Sequence, residues 1–140
     1  MRAFPAGNDV ILRLDPGDEI IASLNAWLQE TDIPLASVSG IGAISACEIG
    51  RYLLSDKRYE TQVHHGEFEI IALLGTISRM AGKPYVHLHL AFADENMVMR
   101  GGHLSSATVS VTAEIVIRRL DGEIDRALHT PTGINRIEPA

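Results

Sequence analysis

The sequence has one cysteine, few basic residues and no long hydrophobic run, and each shortage removes a class of protein. Cys47 alone cannot form an internal disulfide. It sits in an apolar stretch, where a small buried thiol is expected, and a reducing cytoplasm is the expected compartment. Twelve Lys and Arg stand against 18 Asp and Glu, for a formal net charge of −6. Neutralising a polyanion requires clustered cations, and the longest basic run here is Arg118-Arg119. No apolar run approaches the roughly 20 residues that cross a bilayer as a helix. Met1-Arg2-Ala3-Phe4-Pro5 has no apolar stretch after its charge, so no signal peptide is expected. The sequence also lacks a linker, a repeat, a phosphate loop, a dinucleotide fingerprint and a Gly-x-Ser-x-Gly elbow.

What is present suits one compact domain over residues 1–140, with 46% hydrophobic residues to build a core. Val10, Leu12 and Leu14 alternate with polar neighbours as in a strand. Asp15-Pro16-Gly17-Asp18-Glu19 reads as a helix start, with Asp15 capping and Pro16 in the first turn. Ile20, Ile21, Leu24, Trp27 and Leu28 then share a helical face, and the helix should end before Pro34.

The remainder reads as strands. A short one spans Leu35–Ser39, Gly40-Ile41-Gly42 turns the chain, and a second covers Ile44–Leu54. Glu67–Ile77 is nearly continuously apolar and suits a central strand covered on both faces. Tyr85–Ala93 follows a turn. In Ala107–Ile117 every odd position is apolar. Asp121-Gly122 marks a last hairpin turn, and residues 129–140 are expected to be irregular. Short connections favour antiparallel pairing. The expected fold is α+β: a curved, mostly antiparallel sheet of about six to eight strands with one main helix on it.

The candidate chemistry lies in Tyr85-Val86-His87-Leu88-His89-Leu90. Residues two apart on a strand share a face, so His87 and His89 project together while Val86, Leu88 and Leu90 face the core. In Arg100-Gly101-Gly102-His103 the glycines allow close backbone approach and can bring His103 back over that strand. Neutral imidazole ligates zinc and other transition metals, and three protein ligands leave a tetrahedral position open for water or a small anion. Glu114, within a Ser/Thr face, is a candidate acceptor to orient a ligating imidazole; a cross-strand ion pair is the equal alternative. His64 and His65 are adjacent and point to opposite faces, so at most one could join. Glu67 and Glu69 share a strand face and are read as solvated, as are Asp94 and Glu95 in their loop. His129 has no assigned role, and no catalytic group is identified.

Taken in order, Arg13-Leu14-Asp15-Pro16-Gly17-Asp18, Val38-Ser39-Gly40-Ile41-Gly42-Ala43, Gly66-Glu67-Phe68-Glu69-Ile70-Ile71, Leu74-Gly75-Thr76-Ile77-Ser78, His87-Leu88-His89 and Gly101-Gly102-His103-Leu104 resemble the PPC domain (plant and prokaryote conserved domain, the DUF296 family). The resemblance covers about residues 8–120. It implies a sheet-rich domain that assembles as a homotrimer. In plant members the domain follows an AT-hook that contacts DNA, and the segment matching Gly66, Glu67, Phe68, Glu69, Ile70 and Ile71 serves partner interaction. This sequence has no Arg-Gly-Arg-Pro hook. The resemblance to stand-alone prokaryotic members implies that His87, His89 and His103 form a metal site.

The leading expectation is therefore a cytoplasmic homotrimer binding one divalent metal, with zinc the expected ion, and room for a small anionic ligand or metal-assisted hydrolysis. One alternative is a DNA-binding or transcription-regulatory protein, with Arg79, Lys83 and Arg100 as the basic candidates. The other is a purely structural oligomerisation module. No membrane contact is expected.

Overall fold

The computed structural model describes residues 1–138, so Pro139, part of the expected tail, lies outside the described residues. Strands β1 (Arg2–Ala6) and β2 (Asp9–Leu14) form a hairpin, followed by helix α1 (Ile20–Gln29). Four strands then make the body: β3 (Ala36–Leu53), β4 (Arg58–Met80), β5 (Lys83–Ala93) and β6 (Met99–Arg119). A closing hairpin pairs β7 (Asp125–His129) with β8 (Ile134–Glu138).

The expected curved sheet has eight strands, and its curvature is enough to close a ring. β3 pairs with β4, β4 with β5, β5 with β6, and β6 returns to β3, all antiparallel. Leu73, Ile77, Leu88, Leu90, Phe92, Ile115 and Ile117 fill the interior. Helix α1 covers it with Ile20, Leu24, Trp27 and Leu28, all buried. Bulges let such long strands bend. β3 is continuous where the sequence suggested a turn at Gly40-Ile41-Gly42; the glycines instead mark a register shift. Gly42 needs its lack of a side chain, because a Cβ would lie 2.3 Å from the Thr112 carbonyl oxygen.

Three other expectations are corrected. The helix begins at Ile20, not near Asp15. Gly17 has φ +90°, outside helical geometry, and Asp18 binds the Asp15 N–H to close a turn. Glu19 is the cap instead; its carboxylate accepts from the N–H groups of Ile21 and Ala22 and also from Ala107. Val111 breaks the alternation of β6 and is 66% exposed. Between Ala113 and Val109, β6 spends four residues where β3 spends two, from Gly42 to Ile44, and Val111 lies in the excess. Glu67–Ile77 is not covered on both faces, since Ile71 is 47% and Leu74 55% exposed.

The expected irregular tail is the β7–β8 hairpin. It folds back along the outer face of the ring, joined to β4 by one parallel bridge, Arg79 to Asp125. Tyr52 Oη donates to the Thr132 carbonyl at 2.6 Å, and Lys57 Nζ to that of Thr130 at 3.0 Å.

Candidate metal centre

The β4–β5 hairpin sets the histidines in register. Its two-residue turn, Ala81-Gly82, has φ of +52° and +75°, positive at both central positions as in the tight hairpin turns that match strand twist. Ladder pairing then puts Thr76 opposite His87 and Leu74 opposite His89. Leu88 and Leu90 fall inside the ring, so His87 and His89 fall outside it. Gly75 permits this: a Cβ there would lie 1.9 Å from the His87 carbonyl oxygen.

His103 arrives on β6, paired with His89 on one side and Gly50 on the other. A Cβ on Gly102 would meet the Gly50 carbonyl oxygen at 2.6 Å. The expected role of that glycine pair is therefore found, as close approach between ladders. The three imidazoles meet: one ligand nitrogen from each lies within 4.8 Å of the others. Their ring centroids are 5.2–5.6 Å apart.

The donor set fits a transition metal. Tetrahedral zinc with Zn–N near 2.0–2.1 Å places ligand nitrogens about 3.3 Å apart, so the three imidazoles would draw closer around a bound ion. His103 Nδ1 is buried and has no hydrogen-bond partner among the described residues. A buried polar nitrogen left unsatisfied costs stability, a cost that a bound ion aimed at it removes. Burial pushes the His87 imidazole down to about 4, with Arg126 and the other two histidines adding to the effect. Burial, then His89, also lowers His103. Both are thus neutral at pH 7, the state in which imidazole ligates.

A cavity of about 110 Å³ opens beside His87 and His103, walled by Tyr52, Tyr59 and Tyr85 and by Gly133, Ile134 and Asn135 of the closing hairpin. Tyr59 stacks on His103 with centroids 4.4 Å apart. Sequence reasoning missed this wall. Tyr85 had a usable signal, since it lies two before His87 on the same strand face. Tyr52 and Tyr59 become neighbours only through the β3–β4 ladder, and Asn135 only through the tail hairpin.

Glu114 does not orient a ligand. It lies opposite Ile41 and Arg13, eleven residues along β6 from His103, and hydrogen-bonds none of the three imidazoles. It makes no ion pair with Arg13 either; that arginine binds Asp15. His64 is partly buried at the Phe92 ring edge, and His65 is exposed. His129 Nδ1 lies 2.8 Å from Thr132 Oγ1 within the tail hairpin. In the 66–71 segment, Ile70 is buried and Phe68 packs on Phe92, leaving Glu67, Glu69 and Ile71 facing solvent. The basic candidates do not converge. Arg79 binds Asp32 at 2.7 Å and Arg100 binds Asp94 at 2.6 Å, at opposite ends of β5.

A closed antiparallel ring carrying three convergent histidines on its outer face thus defines a small β-rich domain with a candidate metal centre. The chain belongs to the Plants and Prokaryotes Conserved (PCC) domain family, whose model matches residues 1–121. It is similar to a protein from Bacteroides thetaiotaomicron proposed to bind DNA, at 29% identity and TM-score 0.94, covering 98% of this chain and 96% of that one. It is also similar to the metal-containing protein AF0104 from Archaeoglobus fulgidus, at 32% identity and TM-score 0.88, covering 97% and 96%. A plant- and prokaryote-conserved protein from Pyrococcus horikoshii matches at 27% identity and TM-score 0.87, covering 96% and 93%. A comparison with curated proteins finds no match. No helix among the described residues is long and apolar enough to cross a membrane.

Proposed function

We propose that the chain is a homotrimeric metal-binding domain that holds one divalent ion, zinc, through His87, His89 and His103, with a position left for water or a small anionic ligand. The observation that carries this reading is the convergence of three imidazole nitrogens within 4.8 Å. The buried, unpartnered Nδ1 of His103 supports it. So does the metal-containing relative from Archaeoglobus fulgidus. A zinc ion bound there would supply Lewis acidity and bring the pKa of a coordinated water toward about 7. The protein's own part is to present neutral imidazoles on rigid strands and to wall the open side with tyrosines.

The trimer is supported by the outer face of the ring. Ile11, Ile41, Ile71, Leu74 and Val116 line one exposed groove, with Ile41 59% exposed. A contiguous apolar surface of this kind is ordinarily an interface. Elemental analysis of untagged protein tests the metal reading. One equivalent of zinc per chain is expected, lost in the His87→Ala/His89→Ala double variant. Substoichiometric metal that the double variant does not change would reject it. A DNA mobility-shift assay tests the regulatory alternative, since phosphate contacts weaken steeply with salt; a net charge of −6 and the paired state of Arg79 and Arg100 speak against it.

A further inference from the structure

Arg126 is a buried cation with no anionic partner among the described residues. Its side chain is on β7, and the residue is only 8% exposed. Its partners among the described residues are neutral: Nε donates to Ser78 Oγ at 2.8 Å, Nη1 to the Asn135 carbonyl at 3.2 Å, and Nη2 to Thr76 Oγ1 at 3.2 Å. Its guanidinium carbon lies 5.0 Å from the centroid of the Tyr85 ring. No carboxylate forms an ion pair with it among the described residues. Burying an unpaired charge costs several kcal/mol, and neutral hydrogen bonds recover only part of that. A tether between β7 and β4 alone does not need a charge.

The position of the guanidinium relative to the cavity supplies a reason for the charge. Thr76, which holds Nη2, is the ladder partner of His87. Asn135, which holds Nη1, lines the cavity, as does Tyr85, on whose ring the guanidinium rests. Arg126 therefore stands directly behind the wall of the cavity that opens beside His87 and His103. Each terminal nitrogen of a guanidinium carries two N–H groups, and the bonds to Asn135 and Thr76 use one on each. The histidines are neutral ligands, so an ion held by them would add further positive charge, and no carboxylate is among the described residues that line the cavity.

We infer that this cavity binds a small carboxylate anion, with Arg126 as the residue that holds its charge beside the three-histidine centre. The inference rests on the metal-centre reading for what stands on the other side of the ligand, but Arg126 and the cavity exist without the ion. A carboxylate in the cavity would meet the field of the guanidinium that lies behind Tyr85 and Asn135, and the tyrosine walls suit a flat group. A cavity of about 110 Å³ limits the ligand to a few heavy atoms.

The probe is acetate, with acetamide as its neutral isostere and inorganic phosphate as a tetrahedral competitor, each titrated by ligand-observed NMR into metal-free and zinc-loaded protein. Acetate is expected to bind at least tenfold more tightly than acetamide in both forms. Arg126→Met should remove that preference while zinc stoichiometry stays at the wild-type value. Arg126→Lys, which keeps the charge without the fork, should retain part of it. Equal affinity for acetate and acetamide in the wild-type protein overturns the proposal without requiring any variant to fold. Unchanged acetate affinity in folded Arg126→Met, or tighter binding of phosphate than acetate, also overturns it. Failure of the wild-type protein to take up zinc would overturn the metal reading instead, and the metal-free titration would still decide the role of Arg126.

Discussion

The Tyr59 ring lies nearly parallel to that of His103, at 26° and a centroid separation of 4.4 Å. The contact clamps the one candidate ligand that comes from β6, the other two being on β5. Tyr59 is held by Tyr52 in turn, edge to face at 5.1 Å. Groups that orient a ligand are worth about 10- to 100-fold in metal affinity. Tyr59→Ala should therefore weaken zinc binding by about tenfold, and Tyr59→Phe, which keeps the ring, should not. Competition with a chromophoric chelator measures both, and equal affinities for the two variants would remove the clamp from the account.

Zinc should stabilise the fold. An ion that binds only the native state at 100 times its Kd adds about 2.7 kcal/mol. Denaturant titrations with zinc and with a chelator should differ by about that amount, and the His87→Ala/His89→Ala double variant should show no difference.

Acid should destabilise the metal-free protein through His87. Its imidazole is held near 4 by burial, against an ordinary value of 6.5. Between those values the unfolded chain binds a proton that the native state does not, so stability rises with pH. The contribution is present in full above about pH 6.5 and is lost as pH falls toward about 4. Unfolding midpoints at pH 4.5 and 7.5, compared between wild type and His87→Gln, isolate it; the variant should show the smaller drop.

Gly75 and Gly102 should not tolerate alanine. A Cβ at 1.9 Å from the His87 oxygen, or 2.6 Å from that of Gly50, forces two ladders apart. Each substitution should cost about 3 kcal/mol or more in denaturant unfolding, beyond the usual range of single changes. Gly7→Ala, at a turn where nothing lies within 4 Å, should cost less; its φ of +66° leaves only backbone strain.

The proposed trimer should come apart when its apolar groove is charged. Ile41→Lys with Leu74→Glu should give a monomer by sedimentation, and an unchanged mass would place the interface elsewhere.

The site was legible in the sequence because its determinants are local. His87 and His89 obey the period of two against Val86, Leu88 and Leu90, and the glycines before His103 announce a close approach. The strand face of β6 was legible for the same reason, except at Val111, where a two-residue excess against β3 reverses the pattern. What escaped depends on pairings between distant segments. The ring closes through ladders that no periodicity encodes. Glu114 looked placed to support a histidine only while the order of strands was unknown. Arg126 lies 39 positions after His87 in sequence, in a tail whose Pro131 and Gly133 signal irregularity. There Gly133, at φ +74°, serves the β7–β8 turn.

That hairpin begins after residue 121, where the family model ends, and it touches the ring's hydrogen-bond ladders at one bridge only. Capture of the ion and choice of ligand would then be written on separate stretches of chain. Transplanting 123–138 from one relative onto another should transfer anion preference without altering zinc uptake. A chimaera that kept its host's preference would return selectivity to the strands themselves.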